Sequence, residues 1–106
     1  MPKYKDLSPE EFEQKMQGDN AVVIDVRTPA ELAEGEVPGH RMINIAEPQK
    51  FMEEVEELDK EKEYLVYCRS GGRSAQACNY MGSKGFEKCY NLLGGIKAWN
   101  EYQDKK

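Results

Sequence analysis

Apolar residues come in short runs along this chain, separated by polar stretches that carry helix caps. The strongest run, residues 21–26, holds Ala21, Val22, Val23, Ile24, Asp25 and Val26, β-branched for the most part and of strand length. Residues 64–67 read as a second buried strand and residues 89–92 as another, with a shorter candidate at 42–45. Residues 3–7, from Lys3 to Leu7, add an edge strand.

Between these runs the spacing becomes helical. Phe51, Val55 and Leu58 fall at i, i+4 and i+7 of one helix face. Ala75, Cys78 and Met81 share a face of the next helix, which Gly82 or Gly85 ends. Gly94 and Gly95 lead into a last helix carrying Ile96 and Trp99. Ser8 stands as an N-cap with Pro9 at N1 and Glu11 at N3, a capping box, and Leu7 and Phe12 occupy the staple positions. Thr28, Pro29, Ala30 and Glu31 repeat the device. Apolar strands alternating with helices predict an α/β fold: a mainly parallel sheet of about five strands, covered by helices on both faces. In such sheets the ligand crevice lies beyond the carboxyl ends of the strands. Asp25, Arg27 and Cys68 all stand at such ends.

Composition narrows the function. The 106 residues suit one domain spanning the whole chain, with a hydrophobic share of 39% and 33% charged residues. A net charge of −5 excludes a non-specific nucleic-acid binder, and the acid concentrated between Glu47 and Glu63 reads as a solvated helix face. No stretch approaches the roughly 18 apolar residues of a membrane helix, and the N-terminal residues lack the apolar core of a signal peptide. The expectation is a cytoplasmic protein with no membrane partner. Three cysteines without CxxC spacing argue against a disulfide framework and a zinc ribbon, so reduced thiols are expected, with no metal and no cofactor.

Cys68 is the candidate nucleophile. It ends a strand and is followed by Arg69, Ser70, Gly71, Gly72 and Arg73, with Arg73 and Ser74 opening the next helix. The glycines allow a loop that turns its N–H groups inward around an anion, and the helix adds the positive end of its dipole. Arg69 and Arg73 bring two cations, and each effect favours thiolate over thiol. A free cysteine is more often core filler, and Cys78 and Cys89 read that way, one on an apolar helix face and one in a strand. Core filler at position 68 would leave the cationic glycine loop without a purpose.

Residues 68–74 resemble the active-site loop of rhodanese-like sulfurtransferases, which follow C-x-x-G-x-R. Residues 24–31 are similar to the family's DVR strand end, residues 35–39 with 43–45 to its G-H-I-P-G-A-x-N-I-P segment, and residues 91–99 to its closing N-L-x-G-G-x-x-A-W. The resemblance implies a three-layer sandwich and a persulfide on Cys68, loaded from thiosulfate or a similar donor and unloaded to cyanide or a thiol. By this resemblance Cys68 is catalytic, Arg69, Ser70, Gly71, Gly72 and Arg73 bind substrate, and Asp25 and Arg27 support the site. Arg73 either contacts substrate or braces the loop through Asp25 or Glu31. The implied partners are a small anionic sulfur donor and a thiophilic acceptor, which a protein in a sulfur relay would also satisfy.

The chain departs from the family pattern in one segment. Glu36 replaces the histidine expected after Gly35, and the only histidine, His40, follows Pro38 and Gly39 in a run two residues longer than usual. His40 is either a base for Cys68 or a solvated bystander. Rival functions are a phosphatase or arsenate reductase on the same scaffold, or a protein-binding module. Cysteine phosphatases use C-x5-R, whereas four residues separate Cys68 from Arg73 here, making a tighter ring that favours one sulfur over a phosphate.

Overall fold

A computed structural model describes residues 4–106, so Lys3, the first residue of the expected edge strand, lies outside the described residues. The elements are β1 (Lys5–Leu7), α1 (Pro9–Lys15), β2 (Ala21–Asp25), a 3-10 segment (Pro29–Glu34), β3 (Arg41–Met42), α2 (Pro48–Glu56), β4 (Glu63–Tyr67), α3 (Gly72–Ser83), β5 (Cys89–Leu92) and α4 (Gly95–Asp104). The strands form one sheet in the order β1-β5-β4-β2-β3, every pairing parallel.

Alternation along the central strands sends successive side chains to opposite faces. Ile24, Tyr64 and Val66 pack with Phe51 and Val55 of α2 and with Ala77, Cys78 and Met81 of α3. Val23, Leu65 and Tyr67 pack with Phe12 of α1 and with Ile96 and Trp99 of α4. These two central strands, β2 and β4, are therefore apolar on both sides, as a sheet covered on two faces requires. The result is the expected three-layer α/β/α arrangement.

The caps form as the residue types dictate. Ser8 Oγ accepts the Glu11 N–H at 3.2 Å and Glu11 returns the bond to the Ser8 N–H at 2.9 Å. At Thr28 the same spelling starts only a 3-10 segment, where the Thr28 N–H and hydroxyl both donate to Glu31 Oε1. In place of the candidate strand at 42–45, β3 covers only Arg41–Met42, although the Ile43 and Ile45 N–H groups still donate to the Asp25 and Val26 carbonyls before Asn44 Oδ1 accepts the Ala46 N–H. Helix α3 runs through Gly82, and Gly85 follows it at φ +96°, a left-handed turn that suits glycine. The inward face of α3 begins at Ser74 and not at Ala75: the buried residues are Ser74, Ala77, Cys78 and Met81.

Chain order sets where a ligand can sit. From β2 the chain leads outward to β3, while from β4 it leads the other way to β5. The crevice of a doubly wound sheet opens where neighbouring connections diverge, beyond the carboxyl ends of those two strands. Arg27 follows β2 and Cys68 follows β4 at that point.

Candidate active site

The loop after β4 closes around its own sulfur. Cys68 Sγ accepts the Gly71 N–H at 3.1 Å and lies 3.4 Å from the Ser74 hydroxyl in the first turn of α3. Gly71 can place its N–H there because it takes φ +104°, a conformation that strains any residue with a side chain. Burial works against a thiolate at Cys68. The Ser74 hydroxyl and the N–H groups of Ser74, Gly71 and Ser70 outweigh it and hold the thiol below its ordinary value. Cys68 is 1% exposed, deeper than a part-open loop implies, whereas Arg69 and Ser70 above it face solvent.

The two arginines do not act as the free cations that the residue pattern suggests. Both terminal guanidinium nitrogens of Arg73 donate to Glu31, each at 2.8 Å. Those bonds, with help from Thr28, hold the Glu31 carboxyl at about 2 against its own burial. Arg69 Nε pairs with Glu34 at 3.1 Å on the surface. Of the two braces open to Arg73, Glu31 takes it, because Asp25 is occupied elsewhere.

Asp25 and Arg27 form a fully buried pair at 2.8 Å. Arg27 also donates to the carbonyls of Glu31 at 3.0 Å and Gly35 at 2.9 Å. The Tyr67 hydroxyl donates to Asp25 at 2.9 Å and accepts the Val37 N–H at 3.2 Å. Neither Asp25 nor Arg27 hydrogen-bonds the sulfur. They fix the backbone that carries Glu31, and Glu31 in turn fixes Arg73 on α3. His40 is turned away: its Nδ1 donates to the Val37 carbonyl at 3.0 Å, and its ring stands edge-on to Tyr67. No bond joins His40 to Cys68, so the Cys–His dyad does not form.

Two residues join the site that the sequence reading did not single out. Ser74 Oγ lies 2.5 Å from Asn91 Oδ1, and Asn91 Nδ2 donates to Asp6 Oδ1 at 3.0 Å and to the Gly71 carbonyl at 3.3 Å. For Ser74 a signal exists, since 74, 77, 78 and 81 keep helical spacing toward the core. For Asn91 the signal is its place at the head of the 91–99 motif, although a polar residue in an apolar strand does not say which loop it meets. Cys78 and Cys89 sit in the core, where burial pushes Cys89 up to about 12 and Cys78 higher still.

Comparison with known proteins shows the family and the fold. The profile of the rhodanese-like domain family matches residues 8–102. The chain is 40% identical over 96 residues to the putative sulfurtransferase YtwF of Bacillus subtilis, covering 90% of this chain and 89% of that protein. It is 37% identical over 101 residues to the Rhodanese-like/PpiC domain-containing protein 12 of Arabidopsis thaliana, covering 91% of this chain but only 34% of that longer protein. Among solved structures it superimposes on a rhodanese-related protein from Thermoplasma volcanium with a TM-score of 0.79 and 28% identity, over 93% of each chain.

Proposed function

The chain belongs to the rhodanese-like domain family, and we propose that it is a sulfurtransferase working through a persulfide on Cys68. The observation that carries this reading is the set of donors on one sulfur: the Gly71 N–H and the Ser74 hydroxyl meet Cys68 Sγ, and the thiolate is favoured there alone among the three cysteines.

In the first half-reaction the Cys68 thiolate attacks the outer sulfur of thiosulfate. A new S–S bond forms at Cys68, the S–S bond of thiosulfate breaks, and sulfite leaves with the electron pair. The charge then rests on the terminal persulfide sulfur, where the inward N–H groups of the loop and the α3 dipole stabilise it. In the second half-reaction cyanide or a thiolate takes that sulfur and the Cys68 thiolate returns. Two separate half-reactions of this kind give ping-pong kinetics. The exposure of Arg69 and Ser70 at the rim of the loop supports a role in meeting the donor, and the bonds of Arg73 to Glu31 support a role as a brace.

The phosphatase alternative asks Arg73 to grip a tetrahedral oxyanion. Its guanidinium is committed to Glu31, and the ring is one residue shorter than C-x5-R. Reduced thiols at 68, 78 and 89 suit a reducing compartment such as the cytoplasm. A sulfur relay to a protein acceptor uses the same persulfide and differs only in what unloads it.

Intact-protein mass spectrometry after thiosulfate treatment tests the reading. The expected result is a gain of one sulfur atom, removed by cyanide and absent in Cys68→Ser. Sulfur retained in Cys68→Ser, or turnover of an aryl phosphate with none of thiosulfate, overturns it.

A further inference from the structure

The Ser74 hydroxyl has two acceptors within reach and one proton to give. On one side is Cys68 Sγ at 3.4 Å, and on the other Asn91 Oδ1. The orientation of the Asn91 amide follows from its other partners. Its Nδ2 meets the Asp6 carboxylate and the Gly71 carbonyl, both of which only accept, so Oδ1 is left facing Ser74 and also only accepts. Ser74 is completely buried and Asn91 is 3% exposed, so water does not supply a substitute partner. A hydroxyl bonded to Asn91 leaves the sulfur with backbone donors alone; a hydroxyl turned to the sulfur leaves the amide oxygen unpaired.

We infer that Asn91, held in orientation by Asp6, is a positioning residue for the Cys68 nucleophile, its Oδ1 competing with Cys68 Sγ for the Ser74 hydroxyl proton. The inference rests on Cys68 being the reacting thiol. The hydroxyl serves the sulfur while Cys68 is a thiolate and turns back to Asn91 once the inner sulfur of a persulfide carries no charge. No bond is made or broken in the turn, and β1 at the sheet edge thereby communicates with the loop after β4.

Other charged groups around the sulfur are already paired or weak acids. Arg73 faces it from α3 but is bound to Glu31, Asp25 at the end of β2 is bound to Arg27, and Cys78 lies on α3 with its thiol held protonated by burial. The neutral competition at Ser74 is therefore the adjustable part of the site.

The test is the pH dependence of iodoacetamide alkylation at Cys68, read by peptide mass spectrometry in the full chain without any sulfur donor. Ser74→Ala should raise the apparent pKa of Cys68. Asn91→Leu and Asp6→Ala should each lower it, by about half a unit to one unit, the effect of one ordinary hydrogen bond. Asp6 is exposed, so Asp6→Ala keeps the fold even where Asn91→Leu loosens it. In a Ser74→Ala background both shifts should vanish. A shift of equal size in both backgrounds, a rise, or no shift in the native background overturns the inference. Because no sulfur is transferred in this assay, failure of the persulfide reading leaves its outcome readable.

Discussion

The docking of α4 onto the loop after β4 predicts that Gly95 tolerates no side chain. The Ile96 N–H donates to the Cys68 carbonyl at 2.9 Å and the Lys97 N–H to the Arg69 carbonyl at 3.4 Å. Gly95 immediately precedes them at φ +60°, and a methyl group there would strike the Arg69 carbonyl and the Cys68 carbonyl oxygen. The left-handed conformation costs an alanine about 1–2 kcal/mol. Forcing two backbone segments apart costs about 1–3 kcal/mol more. The sum for Gly95→Ala is about 2–5 kcal/mol, which lowers the melting midpoint of a domain this size by at least about 8 °C. Since the displaced atoms belong to Cys68 and Arg69, alkylation of Cys68 should slow in parallel. Gly72→Ala is the matched control: a methyl at Gly72 has open space around it, and the residue starts α3 without a positive φ. That change should leave stability within about 1 kcal/mol of the parent, on the stabilising side. Thermal unfolding followed by circular dichroism measures both. A Gly95→Ala protein melting within roughly 2 °C of the parent would refute the docking argument.

Two more predictions follow from the charges around the site. At neutral pH iodoacetamide should modify Cys68 alone, since burial holds Cys78 and Cys89 protonated; the unfolded chain should take all three labels, and fast native labelling of Cys89 would contradict this. The Glu31–Arg73 pair gives a second expectation, with its sign set by a carboxyl held at about 2 against an ordinary 4.5. A depressed carboxyl stabilises the fold fully above its ordinary value and loses that contribution as pH falls toward its folded one. Glu31→Gln should therefore cost about 1 kcal/mol near pH 6, and its unfolding curve should merge with the parent's as the pH drops from 4.5 toward 2. A gap that persists in acid would place the effect outside the ion pair.

Most of the fold is readable because it depends on local patterns. The β-branched run at 21–25 and the aromatic and aliphatic run at 64–67 form the two central strands, and the Ser8 box forms with both of its bonds. Thr28 carries the same box yet yields a 3-10 segment, because Arg27 draws the carbonyls of Glu31 and Gly35 toward its buried guanidinium. Of the proposed site, the glycine loop that folds around Cys68 is readable. Its charge balance is readable only in part: Glu31 is one of two braces the residue pattern offers Arg73 across 42 residues of chain, whereas nothing announces the Arg69–Glu34 pair, and only the folded sheet brings Asp6 to Asn91 across 85. A residue pattern shows that cations are present and only narrows what neutralises them.

That neutralisation changes how the site must recognise an anion. A chain of net charge −5 does not steer anions from a distance, and the loop's arginines are both engaged by carboxylates, at 2.8 Å for Arg73 and 3.1 Å for Arg69. Stabilisation of negative charge at Cys68 then falls to neutral donors: N–H groups of the loop, one hydroxyl and the end of α3. Such donors are fixed in direction and short in reach, so they favour charge concentrated on one atom in the ring over charge spread across a tetrahedral group. They are also screened little by salt, being buried, in contrast to exposed cations at the rim. A persulfide fits these terms, because its charge sits on a single terminal sulfur covalently delivered to the ring. The braced Arg73 then matters through geometry, keeping α3 and its Ser74 hydroxyl where the sulfur meets them.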